Sequence, residues 1–482
     1  MSSEPSTHKN RFKLWLASPL AEWLTIGALA LIGFLAVWWV YRPGFMSVDS
    51  VVQLGEARSG EFTDFHPPIL ALIWRYLDKL WPGPIGMLIL LDGLFWLGLA
   101  VFFRLLRGPL WARASLLIVA GFQPAVFMLL GTIWKDTLMQ ACLIAGTSAI
   151  LLAAFTGRRL WWAVAAPLMF VAIAARHNGI GAAWPLLALP IFNLKRIASW
   201  RRWQQLALSL LVGLVLALTL RQGSSLLSRK IAAPSEYWQM TPIFDLAGMS
   251  LQIDELLLKP EDGVLSPGVT LERVREVYNP RDHLRLYKCQ RKKCTPAFGR
   301  TYDPEKLRVL GATWKRAILA HPRAYLAHRW LVFRAMLRFD SRKVELSTGI
   351  SRNRLGVPLT RSEAGTAAVE LLSALPNFPF YATWFYVLLE CALLAVGALD
   401  FFRRGRPHCL CLSLSGLIYI ATFFFATGAP DFRYSTWTIL TTLLAACSLA
   451  GFKGWPVPSV TASLLPWRLS WPWARGGPAR SG

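Results

Sequence analysis

Two carboxylates and a histidine stand close together early in the chain: Asp49 in Met46-Ser47-Val48-Asp49-Ser50, and Asp64 and His66 in Asp64-Phe65-His66-Pro67-Pro68. Such groups suit acid–base work, in which a carboxylate beside a hydroxyl accepts its proton. They follow an apolar run ending at Tyr41, so partial desolvation is expected to raise the Asp49 pKa towards that of a useful base. Each acid also has a plain structural reading. Asp49 ahead of Val51 and Val52 would serve as a helix N-cap, and Asp64 would cap a turn before Pro67. The three side chains are also acceptable ligands for a divalent cation such as Mg or Mn.

Three tight turns carry the remaining chemistry. Trp134-Lys135-Asp136-Thr137, Arg176-His177-Asn178-Gly179 and Pro430-Asp431-Phe432-Arg433-Tyr434 each join two apolar runs with almost no loop. Lys135, Arg176 and Arg433 are suited to phosphate oxygens, Arg through a bidentate fork and Lys as a point charge. Asp136, His177, Asn178, Asp431 and Tyr434 beside them are candidate substrate contacts. Snorkelling of span-end cations to the interface is the alternative for each. All three turns fall on the side opposite to the basic loops described below, against the usual bias, and their recurrence points to one shared site for an anionic head group.

The elements that must position these residues follow from composition. The chain has 482 residues, 54% hydrophobic and 16% charged, a balance too apolar for a soluble domain. Its 52 Lys and Arg against 27 Asp and Glu leave a net charge of +25, which alone would suit a nucleic-acid binder. About ten apolar runs argue otherwise: Leu20 to Tyr41, Pro84 to Phe103, Ser115 to Trp134, Thr137 to Phe155, Leu160 to Ala175, Gly179 to Leu194, Trp203 to Leu220, Phe378 to Phe402, Cys409 to Ala426, and Tyr434 to Ala450. The basic excess gathers in alternate loops, at Arg104, Arg107 and Arg113, at Arg158 and Arg159, at Lys195 to Arg202, and at Arg403 to Arg406. That pattern marks a cytoplasmic side, with both termini there, and removes the case for nucleic acid. The expected class is an all-α polytopic membrane protein of about ten spans, in the inner or plasma membrane of a bacterium, with the candidate site facing outward.

The expected organisation is a cytoplasmic N-terminus over 1–19, a membrane module over 20–220 with a first outer loop at 42–82, a mixed extracytoplasmic domain over 221–377, further spans over 378–452, and a cytoplasmic tail over 453–482. Ile69 to Trp81 is apolar but too short to span, and reads as an interfacial helix. Tyr325, Leu326, Trp330, Phe333 and Leu337 make a second apolar stripe, flanked by Arg329, Arg334 and Arg338, for docking on membrane lipids or for meeting substrate. Cys289 and Cys294, in a compartment expected to be oxidising, are candidates for a local disulfide.

At these residues the chain resembles the GT-C superfamily of integral membrane glycosyltransferases, most of all the bacterial branch related to protein O-mannosyltransferases and aminoarabinose transferases. The likeness rests on the first loop, the three turns, and His321-Pro322 with Tyr325, His328 and Arg329. It implies a polyprenyl-phosphate-sugar donor and a lipid-linked glycan, cell-envelope polymer or protein as acceptor. The implied role of Asp49 is catalytic base or acceptor-orienting acid. Many members carry two adjacent acids there; this chain has Asp49-Ser50, so Asp64 is the candidate second carboxylate. Direct displacement at the anomeric carbon would invert configuration. The competing class is a lipid or small-solute transporter or flippase, to which Asp92 and Glu390 within spans would contribute an ion path.

Overall fold

The computed structural model describes residues 18–259, 264–288, 296–339, 349–360, 362–373 and 379–455. Cys289 and Cys294, the first seventeen residues and the tail from 456 lie outside the described residues. In chain order the helices are α1 (Pro19–Tyr41), α2 (Val48–Ser59), α3 (Ile69–Leu80), α4 (Ile85–Leu105), α5 (Leu110–Gly121), α6 (Pro124–Leu130), α7 (Lys135–Thr156), α8 (Leu160–Ala175), α9 (Gly179–Leu187), α10 (Leu189–Phe192) and α11 (Arg202–Ile231). They continue with α12 (Met240–Ile253), α13 (Leu271–Val277), α14 (Pro304–Ala320), α15 (Pro322–Met336), α16 (Glu363–Ser373), α17 (Thr383–Arg404), α18 (His408–Ala426) and α19 (Thr436–Ser448). Two short strands, β1 (Phe62–Thr63) and β2 (Ala232–Ala233), pair in parallel.

Each of the ten apolar runs contains helix. Six helices, α1, α4, α7, α11, α17 and α18, are long and apolar enough to cross a membrane, or seven if the bent pair α5–α6 is one span. The run from Ser115 to Trp134 is therefore not one rod: it breaks by 62° between α5 and α6. Pro124 lacks an N–H and sits in the first turn of α6, while the Gln123 side chain accepts from Val126 N at 2.8 Å, so a new helix starts there. α8 and the α9–α10 segment are shorter, and α10 begins anew just before Pro190.

Close packing of α4 on α7 depends on Gly98. A Cβ there would stand 2.8 Å from the Ala145 amide nitrogen and 3.0 Å from its Cα, backbone that has no rotamer to give. Gly98→Ala is expected to cost about 1–3 kcal/mol, read as a lowered Tm in detergent; an unchanged Tm would show that the two helices separate freely.

Beyond the bundle the expected mixed domain is helical. α12 to α15 close a second core around Phe244, Met249, Val274, Leu286, Phe298, Leu310 and Val332, while β2 pairs with β1 of the first loop. The expected boundary at 220 falls inside α11, which runs 30 residues without a break. At 1.5 Å per residue that is about 45 Å, longer than a hydrocarbon core of about 30 Å.

The second expected interfacial stripe is also revised. Leu326 and Trp330 are exposed, but Arg329 is wholly buried, 2.7 Å from Asp245, and donates to the Thr427 carbonyl at 2.8 Å. His328 stands 3.0 Å from the same carboxylate, and burial lowers its pKa, so the ring is neutral. A buried guanidinium needs a carboxylate more than a head group, and Asp245 on α12 supplies it. With His283, whose backbone N–H donates to the Gly428 carbonyl at 3.1 Å, Arg329 ties the second core to the turn after α18.

Candidate functional site

Local backbone structure brings the first loop to the start of α7. Phe45 N–H donates to the Gly131 carbonyl at 2.8 Å and Ile133 N–H to the Phe45 carbonyl at 2.9 Å, so two extended segments run side by side. Ser47, not Asp49, takes the N-cap position of α2, with its N–H donating to Ser50 Oγ at 3.1 Å. Ser50 Oγ then donates to the Ile133 carbonyl at 2.7 Å. Asp49 is thereby freed from capping and held beside Lys135.

Arg433 joins this pair from 384 residues away, donating through Nη1 to Asp49 Oδ2 at 2.9 Å. Its Nε lies 3.0 Å from Asp431 and 3.8 Å from Asp136. The guanidinium stands over the rings of Trp134 at 4.8 Å and Tyr434 at 5.4 Å. Asp136 is in turn paired with Arg176, which donates to Asn178 Oδ1 at 3.2 Å and lies 4.5 Å from the centre of Tyr434. Lys135 Nζ is 2.9 Å from His66 Nδ1, and His66 Nε2 is 3.9 Å from Asp49 Oδ1. Nine of the eleven expected site residues thus form one connected network. The other two stand beside it: Arg221 donates to His177 Nδ1 at 3.3 Å, and Asp64 accepts from the Ser235 backbone N–H at 2.6 Å.

The electrostatics depart from expectation at Asp49. Burial pushes its pKa up, but Arg433 in direct contact and Lys135 nearby pull it further down, so it lies below the ordinary carboxylate value. Asp49 is ionised and weakly basic rather than a strong base. Burial, with Lys135 adding to it, pushes His66 down from 6.5 to about 3, so the ring is neutral near pH 7. A protonated Lys135 can only donate to Nδ1, which places the ring proton on Nε2, facing Asp49. Nε2 then lies 3.9 Å from Asp49, beyond hydrogen-bond distance, and carries a proton rather than a free lone pair. His177 is likewise neutral, pushed down to about 4 by burial and then by Arg221.

A measurable pH dependence follows. His66 binds its proton in the unfolded chain below 6.5 and in the folded protein only near 3, so the unfolded state is favoured as pH falls through that window. His66→Gln should reduce the loss of stability between pH 6.5 and 3; an identical acid melting profile would count against a buried neutral ring.

The expected divalent site does not fit these residues. Asp64 is engaged by Ser235, Asp49 by Arg433, and His66 by Lys135. Among the described residues no group of three or more His, Cys, Asp or Glu could hold a metal ion. Two cations against Asp49 and His66 would repel a divalent ion.

A cavity of about 600 Å³ opens beside the network. Lys135, Arg176, His177, Arg221 and Arg229 are among its lining, as are Phe65, Tyr237, Trp238, Met240 and His283. Asp64 is the one acid in the lining, which sets three arginines and Lys135 against one carboxylate. No family model, no curated protein and no solved structure matches this chain. The site therefore stands on its own geometry.

Reasoning from the turns missed Arg221, Arg229, Tyr237, Trp238 and His283. A signal did exist on α11, where Arg221, Ser225, Ser228 and Arg229 recur at helical spacing on one face. Of the two acids within apolar helices, Glu390 accepts from Thr441 Oγ1 at 2.6 Å, an ordinary helix-to-helix contact, and Asp92 is buried in α4, away from the cavity lining.

Proposed function

We propose that the protein is a membrane glycosyltransferase that moves a sugar from a polyprenyl-phosphate carrier to an acceptor hydroxyl at the membrane surface. The observation that carries this reading is the cavity, whose lining brings Lys135, Arg176, Arg221 and Arg229 together with the rings of Phe65, Tyr237 and Trp238 and the hydroxyls of Ser225 and Ser228. A sugar phosphate calls for both kinds of group, with anionic oxygens at one end and a ring that stacks on aromatic faces at the other.

In the proposed reaction the acceptor oxygen attacks the anomeric carbon while the carbon–oxygen bond to phosphate breaks. The bonding pair leaves with the phosphate, and the acceptor proton passes to Asp49. A phosphate needs no proton to leave, so a weak base suffices and the cations stabilise the growing charge. Arg433 orients the Asp49 carboxylate through its Nη1 hydrogen bond. Displacement from the opposite face inverts the anomeric configuration.

The reading extends to topology. On this reading the seven spans that include the bent α5–α6 pair, with α8, α9–α10 and α19, make ten membrane segments, an even number that would leave both termini on the cytoplasmic side and the cavity on the extracytoplasmic side of a bacterial inner membrane. The Lys and Arg of the alternate loops support that orientation. The acceptor, a lipid-linked glycan, envelope polymer or protein, would approach past the second core.

The test is transfer of labelled sugar from synthetic polyprenyl-phosphate donors by purified full-length protein in detergent. Labelled product from at least one donor supports the enzyme. Movement of lipid across liposomes without product would overturn it in favour of a transporter or flippase.

A further inference from the structure

The three cations first singled out in the turns are not equally able to hold an anion. Arg433 is surrounded by Asp49, Asp431 and Asp136, and Arg176 is spent on Asp136, so three carboxylates balance much of this charge before any ligand arrives. Arg221 and Arg229 differ. Both line the cavity, and neither has an ion pair with an acid among the described residues. Arg221 contacts only the neutral His177 ring.

Their setting on α11 is more informative than their charge. Arg221, Ser225, Ser228 and Arg229 share one face and all line the cavity. Arg229 stands about 12 Å along the axis from Arg221, a span that two long arginine side chains with a phosphate between them can bridge. The same face continues below Arg221 as Leu218, Leu214 and Leu211, at spacings of three or four. Leu218 is 52% and Leu211 59% exposed, and Leu214 between them is half-buried. A single helix face therefore changes from partly exposed apolar to cationic and hydroxyl-bearing at the level of the cavity.

We infer that Arg221 and Arg229 hold the phosphate of a lipid phosphate whose hydrocarbon chain lies along Leu218, Leu214 and Leu211, leaving Arg433 to clamp Asp49. Two guanidiniums with two serine hydroxyls match the charge and acceptor oxygens of one phosphate monoester or diester. The apolar stripe beneath them sets the class of ligand as an amphiphile rather than a soluble sugar phosphate. This rests on the reading of the cavity as a donor site, and it names the residues that receive the donor's head.

The experiment is binding rather than turnover. Full-length protein in detergent is titrated with decaprenyl phosphate, decaprenol and inorganic phosphate, following the fluorescence of tryptophan, of which Trp238 lines the cavity. The expected order is decaprenyl phosphate tightest, with Arg221→Gln/Arg229→Gln weakening it at least tenfold and Arg221→Lys/Arg229→Lys retaining most of it. Unchanged binding by the double Gln variant would overturn the inference, as would inorganic phosphate binding as tightly as the lipid. A decaprenyl phosphate carrying a photoreactive group in its chain gives a readout on the wild type alone: cross-links within 211–218 support the path, and cross-links confined to other helices overturn it. Sugar transfer is measured separately. Tight lipid-phosphate binding without transfer to any acceptor would count against the enzyme while leaving this inference standing.

Discussion

Asp49→Asn is expected to lower sugar transfer by about 10³-fold, within the usual range for loss of a proton-accepting carboxylate. The substitution is isosteric, and Arg433 keeps Asp431 at 3.0 Å as a partner, so the fold should survive with a Tm close to that of the wild type. Donor binding should persist, because the cavity lining does not include Asp49. The loss should therefore appear in kcat rather than KM. Ionisation of Asp49 lies below the ordinary carboxylate value, so wild-type activity should hold steady as pH is lowered through 5 and fail only in stronger acid. Near-normal turnover by the Asn variant would remove Asp49 from the chemistry.

Arg433→Gln should have the largest effect on stability. Three carboxylates, Asp49, Asp431 and Asp136, converge on this one guanidinium, whose side chain is only 12% exposed. Removing it leaves like charges together in a partly buried place, a change that costs about 3–5 kcal/mol when one partner of a buried ion pair is lost. A thermal melt in detergent reads the deficit directly. The sign of its pH dependence is also set: without Arg433 the carboxylates resist ionisation, so their folded pKa values lie above the unfolded ones. The deficit is then full at neutral pH and fades as pH falls and the acids take up protons. Arg433→Lys should recover only part of the stability, since an ammonium cannot reproduce the guanidinium fork between Asp49 and Asp431. A wild-type Tm for Arg433→Gln would show that the three acids are tolerated without it.

Much of the site was legible from local sequence because the membrane simplifies the problem. A turn of a few residues between two apolar runs has nowhere to go but one face of the bundle, so Lys135, Arg176 and Arg433 could be placed together before any coordinates. The side chains they would meet were not legible. Asp49 reads equally well as an N-cap, and only the pairing of Phe45 with Gly131 and Ile133 shows Ser47 in that position and Asp49 released to Arg433. Arg329 looked like a head-group contact because its neighbours at helical spacing are apolar. The partner that buries it, Asp245, lies 84 residues earlier and has no local signature.

Hydropathy and short spacings on their own determined the helical class, the apolar runs and the side of the bundle on which the chemical groups gather, because helix periodicity and the need to bury or solvate charge act over a few residues. Tertiary structure alone decided which cation meets which acid, that α5 and α6 are bent, that α11 passes the expected boundary, and that its arginines face the cavity. Those outcomes turn on contacts hundreds of residues apart, and the energy of an ion pair depends on a separation and a burial that no local pattern specifies.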